Sequence, residues 1–180
     1  MSDPDEVVRP LLRVRQVREF SEQPVDPAAL DAVADAARWS GSSRNGQPWR
    51  FIVITEVATL RAIHEAGLPQ TRSLATARAA VAVVMPREPG SGIAHAYDEG
   101  RTAERMLIAA SLVGLGAGIA WIGAEVRPAV AALLGLPDDH FVRTVVAIGH
   151  SSAAGRRPKS DPGKARLPRE ETVIRERWPS

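Results

Sequence analysis

Apolar residues recur every three to four positions in several stretches of the chain, which is the spacing of a helix that buries one face. The stretch after residue 25 shows this most clearly. Asp26 can cap a helix and Pro27 suits its first turn. Leu30, Val33 and Ala37 then follow at helical spacing. Patterns of this kind predict helices over residues 4–17, 26–39, 56–66, 73–78, 97–113 and 128–134.

Short apolar runs, bounded by Gly, Pro or polar residues, lie between these helices and are typical of buried strands. They predict four strands, over residues 51–55, 79–85, 119–122 and 141–148. Helices and strands alternate, with no internal repeat and no second-domain boundary. We therefore expect a single α/β or α+β domain over residues 1–180.

The chain changes character after Gly149. Residues 151–168 are rich in Ser, Gly, Pro, Arg and Lys and cannot form a core on their own. Large apolar side chains return near the C-terminus, at Leu167, Val173, Ile174 and Trp178. A tail that is first polar and then apolar predicts an arm, residues 150–180, that docks on another surface.

Composition excludes several classes of function. The 23 basic and 21 acidic residues give a net charge of +2, with the arginines dispersed, which argues against a nucleic-acid-binding protein. The sequence has no cysteine, so disulfides, thiolate metal sites and a cysteine nucleophile are excluded. No apolar run approaches the ~20 residues of a membrane span, and the first ten residues do not resemble a signal peptide. A cytoplasmic protein without a membrane partner is expected.

Three features that suggest chemistry are better explained by structure. The glycine run at 114–118 follows a predicted helix and precedes a strand, whereas a dinucleotide-binding loop leaves a strand and opens a helix. The four histidines have no metal-ligand spacing, so no metal is expected. The serines around Ser42 lack the Gly-x-Ser-x-Gly pattern of a hydrolase nucleophile.

Three other segments offer groups that suit a phosphorylated aromatic ligand. Arginines cluster at positions 13, 15 and 18, and Lys164 and Arg166 form a second basic segment. Guanidinium groups bind phosphate oxygens through two parallel hydrogen bonds. Between these segments, the loop 42–51 carries hydroxyls and amides that can bond a flavin edge or its ribityl chain. Trp49 is expected to pack beneath this loop.

Together these segments resemble the nitroreductase superfamily. The resemblance rests on Arg15-Gln-Val-Arg18 followed by Phe20, on the Asn-x-Gln-Pro-Trp element within residues 42–49, and on Lys-x-Arg-Leu-Pro at 164–168. It extends from about Leu11 to the C-terminus. It implies an α+β fold of three α/β/α layers around a mostly antiparallel or mixed sheet of four to five strands. It also implies a homodimer in which the C-terminal arm, residues 150–180, docks on the partner subunit.

The resemblance implies FMN bound between the two subunits. Its phosphate would be held by the two basic segments. The polar loop would contact the flavin from the partner chain, and the backbone after the third strand would lie beside the isoalloxazine ring. The residues implied are Arg15, Gln16, Arg18, Ser42, Ser43, Asn45, Gln47, Ile122, Gly123, Lys164 and Arg166.

The activity implied is ping-pong transfer of hydride from NADH or NADPH through FMN to a small acceptor such as a nitroaromatic, quinone or enone. No side chain need act as a nucleophile. Gln16 replaces the usual Ser, Gly41 replaces the usual Pro, and the stretch between Ala66 and Ala79 is short. These departures keep two alternatives open: a flavin-binding module without turnover, and a specialised flavin chemistry.

Overall fold

Four strands form one antiparallel sheet in the computed structural model, which describes residues 3–158, 160–161 and 163–178. The strands are β1 (Arg50–Ile54), β2 (Ala79–Pro86), β3 (Gly116–Trp121) and β4 (His140–Gly149). They lie in the order β1-β2-β4-β3, and every neighbouring pair is antiparallel. The sheet confirms the α+β class, and its four strands agree with the expected four to five.

Seven α-helices accompany the sheet in the described residues: α1 (Pro4–Leu12), α2 (Pro27–Arg38), α3 (Val57–Ala66), α4 (Gly92–Leu112), α5 (Arg127–Leu134), α6 (Ala153–Arg156) and α7 (Arg169–Thr172). Helix α2 begins as predicted, because a carboxylate oxygen of Asp26 accepts a hydrogen bond from Ala28 N at 3.0 Å. Helix α5 ends at Gly135, which has a φ of 63° and provides the left-handed C-cap. None of the described helices is long and apolar enough to cross a membrane.

The helices cover both faces of the sheet, which confirms the three-layer architecture. One face of β2, from Ala79 through Val81 and Val83 to Met85, packs against α2 and α4. The alternate residues of β2 face the other core, which α3 and α5 close. Because β2 is buried on both faces, it appears in the sequence as a continuous apolar run. Trp49 is buried in the first core, as expected for an anchor beneath its loop.

The predicted helix over 4–17 is wrong beyond residue 12. Helix α1 ends at Leu12, and the chain from Val14 onward runs extended against the sheet. Gln16 forms a parallel bridge with Ala117 of β3, and Val17 N donates to Ala117 O at 2.7 Å. Pairing with the edge strand β3 is favoured over helix formation here. It satisfies backbone groups of β3 that would have no partner if the chain continued as a helix.

Two other boundaries differ from the predictions. Helix α4 begins at Gly92, five residues before the predicted start, and β3 begins at Gly116 rather than at residue 119. The predicted short helix over 73–78 is a 3-10 turn at Arg72–Ala75. The glycine run therefore ends the turn after α4 and also forms the first part of β3. This order of elements, helix then glycines then strand, excludes a dinucleotide-binding loop.

Candidate functional site

Both ends of the chain meet at an open cavity of about 600 Å³, which we call the terminal cavity. Its lining includes Arg15, Gln16 and Arg18 from the N-terminal segment and Arg166 from the C-terminal segment. Four of the five residues predicted to hold a phosphate are thus brought together, although about 150 positions separate the two segments.

Two further arginines line the terminal cavity that the sequence patterns did not single out. Arg156 and Arg157 lie at the C-terminal end of α6. Helix α6 is fixed by its N-cap, because Ser152 Oγ accepts a hydrogen bond from Gly155 N at 2.9 Å. The adjacent Arg-Arg pair at 156–157 was the signal available in the sequence, but it sits in a tail too polar to be assigned a position.

The electrostatics of the terminal cavity favour an anion. The side chains lining it include five arginines, at positions 15, 18, 156, 157 and 166, and one carboxylate, Glu104 of α4. Arginines from two chain segments thus line one open volume, and guanidinium groups are donors that suit a phosphate. Lys164 is not among the lining residues; its ammonium lies 3.6 Å from the carboxylate of Asp161, and both side chains are exposed.

Glycines in β3 allow the N-terminal segment to reach this position. A Cβ atom on Gly118 would collide with the backbone carbonyl of Val17, and one on Gly116 would meet Val17 Cγ2 at 2.9 Å. The side-chain oxygen of Gln16 accepts a hydrogen bond from Ile119 N at 3.2 Å. Gln16 therefore has a structural partner on β3 while it also lines the terminal cavity.

The polar loop from Ser42 to Gln47 lies elsewhere and does not line the terminal cavity. Ser43 N donates to both carboxylate oxygens of Asp98, at 3.3 Å each, and Ser42 Oγ accepts from Gln47 N at 2.9 Å. Asp98 belongs to α4 and its side chain is 3% exposed. Asn45 and Gln47 have positive φ angles of 55° and 45°, so the loop is held in an uncommon backbone conformation.

Ile122 and Gly123 directly follow β3. Ile122 is fully buried, its N–H donates to Arg143 O at 2.8 Å, and its carbonyl accepts from Arg127 Nε at 3.3 Å. A Cβ atom on Gly123 would collide with the carboxylate of Glu125. The backbone of this segment is thus fixed from both sides, and neither residue lines the terminal cavity.

Comparison with known proteins finds similarity to nitroreductases and NADH dehydrogenases. The model of the Nitroreductase family matches residues 13–83. A protein of Archaeoglobus fulgidus named as an NADH dehydrogenase/NAD(P)H nitroreductase is 27% identical over 155 residues, which cover 81% of this chain and 86% of the relative. The NADH dehydrogenase of Thermus thermophilus is 26% identical over 167 residues, which cover 87% of this chain and 80% of that protein.

The structure also superimposes on a solved structure of the superfamily. An FMN-dependent nitroreductase of Clostridium difficile R20291 matches with a TM-score of 0.79 and 19% identity, covering 93% of this chain and 98% of that chain. The resemblance to the nitroreductase superfamily is confirmed. The chain has the nitroreductase fold.

Within one nitroreductase-fold chain, the predicted site residues form separate groups. Arg15, Gln16, Arg18 and Arg166 share the terminal cavity, whereas the loop 42–47 is anchored on α4 and Ile122–Gly123 follows β3. The volume and the donor set of the terminal cavity fit the phosphate and ribityl portion of FMN. Donors for the rest of such a ligand have to come from outside this cavity.

Proposed function

We propose that this protein is an FMN-dependent oxidoreductase that takes electrons from NADH or NADPH and reduces a small acceptor, such as a nitroaromatic, a quinone or an enone. The observation that carries the proposal is the convergence of arginines from both ends of the chain on the terminal cavity. Relatives named as NADH dehydrogenases or nitroreductases support an oxidoreductase, and the FMN-dependent structural neighbour supports the cofactor.

In this proposal the terminal cavity binds the FMN phosphate. Arg15, Arg18 and Arg166 provide charge-assisted hydrogen bonds, and the newly found Arg156 and Arg157 add positive charge at the same opening. Gln16 fixes the N-terminal segment on β3 through Ile119 N. Lys164 would need to leave Asp161 and move toward the cavity to act with them.

The remaining predicted residues act on the ring system. The backbone at Ile122–Gly123 would lie beside the isoalloxazine, and Ser42, Ser43, Asn45 and Gln47 would approach the ring from a second subunit. Bound FMN would supply the hydride chemistry, which a ping-pong cycle divides between the nicotinamide and the acceptor. The protein's own part is to bind, orient and exclude water, and no side chain need act as nucleophile.

A homodimer follows from this assignment, because one chain does not bring the loop 42–47 to the terminal cavity. Exposed apolar side chains support it: Trp39 is 67% exposed, Tyr97 is 74% exposed and Trp178 is 82% exposed. Aromatic residues are enriched at protein interfaces. The arm 150–180 would dock on the partner through its apolar end.

The experiment that tests the proposal begins with the visible spectrum of the purified protein after incubation with FMN, followed by anaerobic addition of NADH or NADPH. We expect a yellow protein that the nicotinamide bleaches and an added quinone restores. A protein that takes up no FMN would overturn the proposal. A yellow protein that neither nicotinamide bleaches would instead indicate a flavin-binding module.

Replacing Arg18 and Arg166 by Ala tests the phosphate assignment directly. Each loss removes a charge-assisted hydrogen bond, so we expect FMN to bind roughly 10-fold or more weakly in each variant. Arg38→Ala is the matched control, since this arginine is exposed, pairs with Asp35 and does not line the terminal cavity. Equal FMN affinity in all three variants contradicts the assignment.

A further inference from the structure

A second group of arginines lies at the opposite end of the sheet strands from the residues discussed as a phosphate site. Arg87, Arg127 and Arg143, which we call the arginine trio, all place their guanidinium groups beside the ring of Phe141. The distances from guanidinium carbon to ring centroid are 5.6, 5.4 and 5.7 Å, respectively. Cation–π contact offsets part of the repulsion among three like charges but does not neutralise them.

Only part of this charge is balanced by the described residues. Arg143 donates to the carboxylate of Glu99, whose side chain is 3% exposed. Glu88, which lines the same pocket as Arg87 and Arg127, is exposed and has its carboxylate 3.6 Å from His95 Nε2. Burial and the neighbouring Arg143 lower the pKa of Arg127, whereas Glu99 and Glu125 oppose this lowering.

Two guanidiniums of the arginine trio are oriented by the backbone. Arg87 Nε donates to Asp138 O at 3.0 Å, and Arg127 Nε donates to Ile122 O at 3.3 Å. Among the described residues, the terminal nitrogens of these two side chains have no hydrogen-bond partner. Each guanidinium is thus held in place by the hydrogen bond from its Nε, and its two terminal nitrogens remain available to other groups.

Arg87 and Arg127 line a pocket of about 360 Å³, which we call the trio pocket. Arg87, Arg127, His95 and the carboxylate-bearing Glu88 line its polar side, while Pro86, Pro89 and Phe141 provide apolar surface. Glu99, which pairs with Arg143 of the arginine trio, does not line the pocket, and its Oε1 is buried with no hydrogen-bond partner in the described structure. The core-facing side of α4 is therefore polar at its first turns, although the same side is apolar from Ala103 onward.

We propose that the trio pocket binds the carboxylate of a small organic acid with an apolar body. The carboxylate would accept hydrogen bonds from the terminal nitrogens of Arg87 and Arg127, and the apolar body would contact the two prolines and the edge of Phe141. The site is separate from the terminal cavity, which shares none of its lining residues. The proposal therefore does not rest on the phosphate assignment of the terminal cavity.

The test is isothermal titration calorimetry of the full-length purified protein with benzoate, and with benzamide as the neutral molecule of the same shape. We expect benzoate to bind with a Kd of about 1 mM or tighter and benzamide to bind at least about tenfold more weakly. Equal affinity for the two, or no measurable heat from benzoate at about 20 mM, overturns the proposal.

Variants locate the binding. Arg87→Gln and Arg127→Gln should each weaken benzoate at least about fivefold, since each removes one charged donor pair. Arg38→Gln is the matched control, because Arg38 also stacks on an aromatic ring but is paired with Asp35 at 2.8 Å and lines neither cavity. Arg87 is exposed, so its variant should fold even where Arg127→Gln does not.

Inorganic phosphate separates a carboxylate site from a general anion site. Phosphate binds arginines as well, but it cannot use the apolar surface of the trio pocket. At a site that Arg87→Gln weakens, we therefore expect benzoate to bind more tightly than phosphate. Phosphate that binds such a site at least as tightly as benzoate would overturn the assignment to a carboxylate with an apolar body.

Discussion

At the scale of single residues, the least expected feature is the buried carboxyl of Glu99. It occupies a core-facing position of α4, where the pattern of the helix farther along predicts an apolar side chain. Burial raises the pKa of Glu99 above its ordinary value of 4.5, and the hydrogen bond from Arg143 opposes this rise without cancelling it. The folded protein therefore holds this proton more tightly than the unfolded chain does.

The raised pKa of Glu99 leads to a prediction about stability and pH. The folded state binds more protons than the unfolded state between pH 4.5 and the raised folded pKa, so wild-type stability from this group falls as pH rises through that window. In Glu99→Gln this contribution is absent. We expect the free energy of unfolding of the wild type, relative to the variant, to decrease with increasing pH.

Urea denaturation at a series of pH values and one protein concentration measures this difference. Glu99→Gln also loses the ion pair with Arg143, which adds an offset at each pH, so the slope with pH is the quantity to compare. Glu6→Gln, at an exposed position of α1, controls for removal of a carboxylate as such. A wild type that gains stability on the variant as pH rises contradicts the prediction.

At the scale of elements, α4 serves as the anchor for the polar loop. Asp98 accepts from Ser43 N, and Arg101 donates to Gly41 O at 3.1 Å. Arg44, Asn45 and Gln47 all have positive φ, a conformation that costs non-glycine residues free energy. The loop therefore depends on its contacts with α4 to keep its shape.

Replacing Asp98 by Ala should release the loop. The change leaves Ser43 N without its acceptor, so we expect a loss of about 1–3 kcal/mol in the free energy of unfolding. Amide hydrogen exchange in residues 42–48 should accelerate by about tenfold or more, well beyond the change elsewhere in the chain. Asp35→Ala removes an exposed carboxylate, paired with Arg38, and should cost less than about 1 kcal/mol. Unchanged exchange in the loop of the Asp98 variant would show that α4 does not hold it.

At the scale of the whole molecule, the layers could be predicted because they follow from local patterns. The helix that begins at Asp26 and the doubly buried β2 are examples, and both are confirmed. Long-range contacts could not be predicted. The end of α1 at Leu12 depends on β3, about 100 positions away, and Arg156 joins the terminal cavity only through the packing of α6 against Glu19.

The same limit applies to the candidate site. Arg18 and Arg166 could be paired by resemblance alone, since neither pattern nor spacing relates the two ends of a chain. The arginine trio could not be predicted either, because its members lie after β2, at the start of α5 and in β4, and they meet only when the sheet forms. The loop 42–47 does not line the terminal cavity of its own chain. This agrees with the expectation from the resemblance that the loop contacts the flavin from a partner subunit.

The C-terminal arm provides the last prediction, which concerns assembly. Leu167 and Trp178 are 67% and 82% exposed in the single chain, and apolar side chains concentrated at the end of a polar segment lose free energy when they remain in water. A chain that ends at Arg157 retains α6 and Arg156 but loses the rest of the arm, including Arg166. We expect light scattering to show a monomer and the FMN affinity to fall by more than in Arg166→Ala, because the partner's loop would be lost as well as one guanidinium.

Trp178→Ala should give an intermediate fraction of dimer with all the arginines intact. A truncated protein that remains a dimer would place the subunit interface on Trp39, Tyr97 and the exposed face of α4 instead of on the arm.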